Sequence, residues 1–319
     1  MEFDITAFQG VISMKHLALA DMHCDTPFEL FSRSQSFLKN DLAVSAAKAN
    51  RYRSFIQVAA VWSDKNLDND AAYERSLNII EYFKSDISSD TDSSLWIDNL
   101  DSKIRIVLSI EDARILNGDI TRLYHLYDRG IRLITPLWGG ITCIGGAFDT
   151  NIGLTEFGKS VIDASVKLGI IPDISHASEK SAYDIFEACD NRSPIIASHS
   201  DAYSVFPHKR NLTDEQFKLV KDSGGVVGIN LYTEHLGCDS SRPAIDQVLA
   251  HIEHYLSLGG EDTVCFGCDF DGATTPTELS DISSLLTVAE KMSLLNYSDS
   301  LIEKIFYLNA ENFIKKNIK

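Results

Sequence analysis

Leu17-Ala-Leu-Ala-Asp-Met-His-Cys-Asp25 reads as a short buried strand that ends in a histidine and an aspartate. Side chains alternate faces along a strand, so residues two apart point the same way. His23 and Asp25 are therefore expected to project together from the strand end, with Cys24 turned away. An imidazole beside a carboxylate suits a divalent transition metal such as zinc. A core histidine next to a helix-capping aspartate would explain the pair as well. The rest of the chain decides between the two, because it brings His, Glu and Asp back to the same kind of position.

Seven further apolar, β-rich segments follow: 54–61, 103–110, 130–135, 169–174, 194–198, 225–231 and 263–267. Amphipathic stretches separate most of them. Helices are expected over 70–84, 155–168, 178–189, 213–222, 243–258 and 298–316. Thr213 and Gln216 have capping-box spacing, and Pro243 suits a first helical turn. Eight short strands alternating with helices in about 300 residues fit a (β/α)8, TIM-like barrel; a doubly wound open sheet is the second choice. Segments 26–50 and 86–102 read as insertions. No linker or internal repeat divides residues 1–319, so one domain is expected.

In a parallel barrel the strand ends gather on one face, where barrel active sites are built. Strand one ends in His23 and Asp25, strand three in Glu111, strand five in Ser175-His176, strand six in His199, and strand eight in Asp269 and Asp271. Three histidines and several carboxylates at one mouth point to metal. Five ligands on one tetrahedral ion would leave no open position, so two ions sharing a bridging carboxylate and a hydroxide fit better. Arg210, in the loop Ser204-Val-Phe-Pro-His-Lys-Arg-Asn-Leu-Thr213, would offer a fork to a substrate carboxylate.

Composition narrows the class. The chain has 319 residues, 44 % of them apolar, and a formal net charge of −17 from 29 basic and 46 acidic residues. That balance argues against nucleic acid and anionic membrane surfaces as partners. The N-terminal Met1-Glu-Phe-Asp-Ile-Thr6 lacks the features of a secretory signal, and no apolar run is long enough for a membrane helix. Six scattered cysteines read as reduced cytosolic thiols. Cys265 and Cys268 have C-x-x-C spacing, but on a strand they would face opposite sides. His251 and His254 are expected on an exposed helix face, solvated. His16, His125, His208 and His235 have no clear partner in sequence. The glycine pairs at 139–140, 145–146 and 259–260 form no nucleotide fingerprint.

From Asp21 to Phe313 the chain resembles the renal (membrane) dipeptidase family, peptidase family M19 of the amidohydrolase superfamily. The resemblance is carried by Asp21-Met-His-Cys-Asp-Thr-Pro27, Ser109-Ile-Glu-Asp112, Gly153-Leu-Thr-Glu-Phe-Gly158, Asp173-Ile-Ser-His-Ala-Ser178, Ala197-Ser-His-Ser-Asp-Ala-Tyr203, Lys209-Arg-Asn-Leu212, Gly225-Val-Val-Gly-Ile-Asn-Leu-Tyr232 and Gly267-Cys-Asp-Phe-Asp-Gly272. Their order and spacing are specific together, whereas each alone is weak. The resemblance implies a barrel of the metal-dependent hydrolase type holding two zinc ions, other divalent metals being an alternative. It implies that His23 and Asp25 hold one ion, His176 and His199 the other, and that Glu111 bridges them. Arg210 would bind the C-terminal carboxylate of a dipeptide. Tyr232 would touch substrate. Asp269 would move the proton and contact the substrate's amino end.

Two departures stand out. The family commonly has a histidine after strand four that assists the oxyanion; here Trp138 stands in that place, and an indole can donate but not titrate. Asp112 follows Glu111 where the family usually has glycine. Without the signal, anchor and paired cysteines of mammalian members, the chain reads as a cytoplasmic, prokaryote-like member, and such members often accept a D-residue on the C-terminal side. Homodimers are common in the family, but no patch in this sequence demands one. The expected activity is zinc-dependent dipeptide hydrolysis. A metallohydrolase of the same superfamily acting on another amide, a cyclic imide or a lactam is the alternative, and a catalytically silent metal- or peptide-binding barrel a third.

Overall fold

The computed structural model describes residues 17–238 and 242–319. His16 and the N-terminal stretch read for a signal lie outside them. The strands are β1 (Leu19–Cys24), β2 (Phe55–Trp62), β3 (Ser93–Leu95), β4 (Ile104–Glu111), β5 (Ile131–Thr135), β6 (Ile171–Pro172), β7 (Val227–Ile229) and β8 (Val264–Phe266). All pair in parallel, in the order β6-β5-β4-β2-β1-β8-β7, with β3 added against the start of β4.

The expected strand at 194–198 closes the ring between β6 and β7. It does so through single bridges, Asp173 to Ile196 and Ala197 to Val227, in place of a continuous ladder. The reason is a side chain. Asp173 takes the backbone N–H groups of Ser175 (2.9 Å) and Ser198 (3.0 Å) on Oδ1, diverting them from the neighbouring strand. With this stave the molecule is the (β/α)8 barrel expected from the eight apolar segments.

Two apolar layers follow from strand alternation. Leu19, Phe55, Ala59, Ile106, Leu108 and Ile110 pack outward beneath the helices. Ala18, Ala20, Met22, Ile56, Val58, Val107, Leu133, Ile171, Ile196 and Val226 face inward, and Tyr307, Ala310, Phe313 and Ile314 of the C-terminal segment plug their lower end. That segment was expected as one helix over 298–316. It is two, Asp299–Glu303 and Asn309–Asn317, joined by a π-turn at Lys304–Leu308. The turn seats Phe306 edge-on to Phe266 of β8, ring centres 4.8 Å apart.

Strand β1 carries one irregularity. Asp21 pairs with Gln57 but Cys24 pairs with Ala59, so three steps on β1 match two on β2. The extra residue is a β-bulge. Met22 packs in the inner layer with Ala18 and Ala20, while Cys24 packs outward with Leu19. The bulge therefore turns His23 inward directly after Met22; unbroken alternation would have sent it out beneath the helices.

The other helices lie close to expectation, at Asn69–Ile87, Glu156–Leu168, Glu179–Cys189, Asp214–Asp222 and Ala244–Ser257. Thr213 and Gln216 form the full capping box. Segment 86–102, read as a Ser/Asp-rich insertion, contains β3. The solvated helix face expected for His251 and His254 is corrected. His251 is buried: its Nδ1 accepts from the Ala202 N–H (3.0 Å) and its Nε2 donates to the Leu236 carbonyl (3.1 Å). His254 pairs with Asp214 at 2.8 Å. The spacing looked surface-like because the helix packs on Ala202 and on the short helix Thr233–Leu236, neither of which a local pattern reveals. Among the described residues, no helix is long and apolar enough to cross a membrane.

Candidate active site

The C-terminal strand ends converge on a cavity of about 540 Å³ lined by Asp25, Glu111, Trp138, His176, Arg210, Tyr232, His235 and Asp269, among others. The bulge places His23 beneath the lining carboxylates of Asp25, Glu111 and Asp269. The His23 Nε2 lies 3.6 Å from Asp25 Oδ2, 3.6 Å from Glu111 Oε2 and 3.9 Å from Asp269 Oδ1. On the other side, Glu111 Oε1 lies 3.0 Å from His176 Nε2 and 3.8 Å from His199 Nε2. Glu111 thus stands between the pair from β1 and the two later histidines. Asp25 precedes the helix Thr26–Arg33, but its side chain makes no capping bond. Helix capping therefore does not account for it.

The backbone bends sharply to make this cage. His176 and Asp269 hold left-handed conformations, φ +68° and +60°, which side chains seldom adopt. Asp112 does so too, at +68°, and this accounts for a position that otherwise suits glycine. Its carboxylate turns away from the cage to the Arg114 side chain at 3.2 Å. Asp271 also turns away, accepting from Thr26 Oγ1 (2.6 Å) and the Ala43 N–H (2.8 Å). It pins the loop after the first helix.

Three residues of the sequence motifs, Asp173, Ser198 and Asn230, support the cage from behind. Asp173 Oδ2 accepts from Thr135 Oγ1 (2.8 Å) and from Ser198 Oγ. The one Ser198 hydroxyl proton is used there, so Ser198 Oγ accepts from His199 Nδ1, 2.7 Å away. That fixes the tautomer, because with the proton on Nδ1 the Nε2 of His199 presents a lone pair to the cage. His176 is set the same way, its Nδ1 donating to the Trp138 carbonyl at 3.0 Å. Asn230 donates to Asp269 Oδ2 (3.1 Å) while its own Oδ1 accepts from the Tyr232 N–H (2.6 Å). Period-two spacing from Ser175 back to Asp173 could have exposed the first of these. Nothing local marks Asn230.

The donor set fits cations. His176 Nε2 and Glu111 Oε1 are both acceptors 3.0 Å apart, a repulsive contact unless positive charge lies between them. His23 Nε2, His199 Nε2 and Asp25 Oδ1 are buried without a hydrogen-bond partner, which is costly in a polar cavity with no ligand. The protein's own charges register the same strain. Burial and the Glu111 charge push the Asp25 carboxyl up. Burial alone would depress His23, but Glu111 and Asp25 overcome it and raise it well above the ordinary value. Burial pulls His199 well below that value. Two overlapping groups, His23–Glu111–His199 and His23–Asp25–Asp269, have the closeness metal ligands need.

Arg210 lies on the cavity wall, 96 % shielded from solvent, with its guanidinium 5.6 Å from the Phe148 ring. Its Nε and Nη2 have no hydrogen-bond partner. Burial pulls its pKa down to about 10, so it remains charged at neutral pH. Trp138 contributes its carbonyl to His176 and its ring to the wall, edge-on to Trp62 at 5.3 Å.

With this geometry in place, similarity to known proteins is informative. The sequence profile of the membrane dipeptidase family (peptidase family M19) matches residues 11–317.

The chain belongs to that family.

Membership places it among the metallo-dipeptidases, the class read from the eight motifs. It is 34 % identical over 226 residues to an uncharacterized protein in the pqqA 5′ region of Klebsiella pneumoniae, covering 67 % of this chain and 83 % of that protein. It is 31 % identical over 224 residues to an uncharacterized dipeptidase of Schizosaccharomyces pombe, of which the match spans about half, 53 %, against 67 % of this chain. In fold it is similar to a metallo peptidase from Rhodobacter sphaeroides liganded with a phosphinate mimic of the dipeptide L-Ala-D-Ala. The TM-score is 0.85 at 22 % identity, covering 94 % of this chain and 99 % of that one.

Proposed function

We propose that this chain is one barrel domain that hydrolyses the peptide bond of dipeptides with two zinc ions in the cage. The observation that carries the reading is the sharing of one cavity by a cage of imidazoles and carboxylates and the unpartnered guanidinium of Arg210. His23 and Asp25 would hold one ion, His176 and His199 the other, with Glu111 between them. A pair of divalent ions there would supply an activated water near neutral pH and polarise a carbonyl.

The protein's own groups do the rest. Arg210 binds the substrate's terminal carboxylate as a charge-assisted fork. That contact limits the substrate to short peptides whose scissile bond lies one residue from the carboxylate. Asp269 is held at Oδ2 by Asn230, leaving Oδ1 to accept the proton of the attacking water and return it to the departing amine. The same carboxylate contacts the free amino end. Tyr232 and Trp138 line the side-chain space and exclude water. The L-Ala-D-Ala mimic in the Rhodobacter relative supports including a D-residue on the C-terminal side.

The test is hydrolysis of L,L- and L,D-dipeptides, each with and without a C-terminal amide, by zinc-loaded and chelated protein. Zinc-dependent cleavage that amidation suppresses is expected. Cleavage indifferent to amidation would replace this reading with a metallohydrolase acting on another amide, a cyclic imide or a lactam.

A further inference from the structure

Arg210 is not the only side chain on that wall with an unpartnered nitrogen. His235, at the end of the short helix Thr233–Leu236, lines the same cavity. It is 93 % shielded from solvent, and its Nδ1 has no hydrogen-bond partner. A buried imidazole nitrogen without a partner is as exceptional as a buried guanidinium without one, and here both face one space.

The surroundings hold the ring rigidly. His208 stacks on it with ring centres 4.5 Å apart, and Tyr232 meets it edge-on at 4.6 Å. The loop that carries Arg210 is tied to the same unit. The Arg210 N–H donates to His208 Nδ1 (3.2 Å), and Asn211 Nδ2 donates to the His235 carbonyl (2.8 Å). Burial first, and then the Arg210 charge, holds the His235 imidazole neutral, far below its ordinary pKa. A neutral ring beside a guanidinium adds a hydrogen bond without adding like-charge repulsion.

We infer that His235 is a further substrate-contacting, specificity-determining residue, whose Nδ1–H joins the Nε and Nη2 of Arg210 in a three-point receptor for the terminal carboxylate of the substrate. The inference rests on the dipeptidase reading and deepens it. A guanidinium fork alone accepts any anion in its plane, whereas a third donor from a different element fixes how the carboxylate is turned. With it fixed, the Cα of the leaving residue and its side chain are fixed too. His235 thereby becomes a determinant of which configuration at that carbon is accepted.

The experiment uses the zinc-loaded full chain with a dipeptide and its C-terminal amide. His235→Phe keeps the ring's bulk and removes its nitrogens. His235→Asn restores a donor close to the Nδ1 position. The expected result is a rise in KM for the free dipeptide of about 10-fold with kcat retained, as for loss of one hydrogen bond to a charged group. The penalty on the amide should be several-fold smaller, and His235→Asn should recover most of the KM. A His235→Phe chain that keeps the wild-type KM for the free dipeptide overturns the inference. So does an equal loss on acid and amide, which would mark a purely structural role. A wild-type chain that cleaves acid and amide alike removes the carboxylate reading of Arg210 along with it, so the two failures are told apart.

Discussion

The two ends of the barrel bury charge in opposite ways. At the lower end Arg105 of β4 is enclosed by the C-terminal segment. Its Nη2 donates to Ser54 Oγ at 2.7 Å and to the Tyr307 hydroxyl, its Nη1 faces Glu311 at 3.4 Å, and Tyr307 donates to the same carboxylate at 2.6 Å. Glu311 there meets both Arg105 and Lys315, Arg105 Nε is the one atom of the group buried without a hydrogen-bond partner, and none of these residues sits at positive φ. At the upper end three imidazoles and three carboxylates crowd together, several of their atoms lack partners, and two of the residues sit at positive φ. One end is arranged for the folded chain alone. The other is strained until something binds, and strain of this kind costs about 1 kcal/mol or more per residue. Stability and chemistry are thus separated along one axis.

The largest expected effects test that separation directly. Glu111→Gln should lower kcat by about 10³-fold or more, the scale of losing a central electrostatic group, and should reduce bound zinc from about two per chain, read by atomic absorption. Phe313→Ala at the lower end should instead cost about 3–5 kcal/mol of stability in urea unfolding and leave the kcat of the folded chain near wild type. Loss of activity from the second variant, or of stability alone from the first, would break the division.

His251 sharpens it from the side. Burial lowers its pKa to about 4 from 6.5, and both ring nitrogens are engaged in the neutral form. Above pH 6.5 its contribution is complete. As pH falls toward 4, the unfolded chain takes up a proton that the folded chain refuses, and about 3 kcal/mol is lost. Urea unfolding at pH 7 and pH 4.5 should show most of that drop in the wild type and a shallower one in His251→Gln.

Asp173→Asn is expected to weaken zinc affinity or activity by about 10–100-fold, because the Ser198–His199 relay loses its anchor. The smallest effect has the opposite sign. Asp25→Asn should raise the Tm of the zinc-free chain, by an amount worth about 1 kcal/mol, while abolishing turnover, since burial and Glu111 already disfavour that carboxylate. A lower Tm would mean that the upper end is not strained.

Much of this was legible in the sequence, and the reason is local. The strand ends carry their ligand candidates as neighbours in sequence, so His23-Cys-Asp25, Ile110-Glu111 and Ser175-His176 could be read with no knowledge of the fold. What could not be read depends on distant partners. Asp173 acts through Thr135 and Ser198, Asn230 through Asp269, and His251 through Ala202 and Leu236, 49 and 15 residues away in the chain. The short strand Ser93–Leu95 was hidden in a Ser/Asp-rich stretch with no alternation to show. His235 showed no partner in sequence because the ring it stacks on, His208, comes from a separate loop.

The bulge in β1 has a consequence for how such a chain can change over generations. Exchanges at Ala18, Ala20 and Met22 alter the lining of the barrel floor. Loss of the Met22 codon would restore even pairing with β2 and still leave His23 facing inward, because Asp21 and His23 would then alternate. What lineages carrying this site must inherit is the inward turn of His23, and the strand can reach it with or without the extra residue.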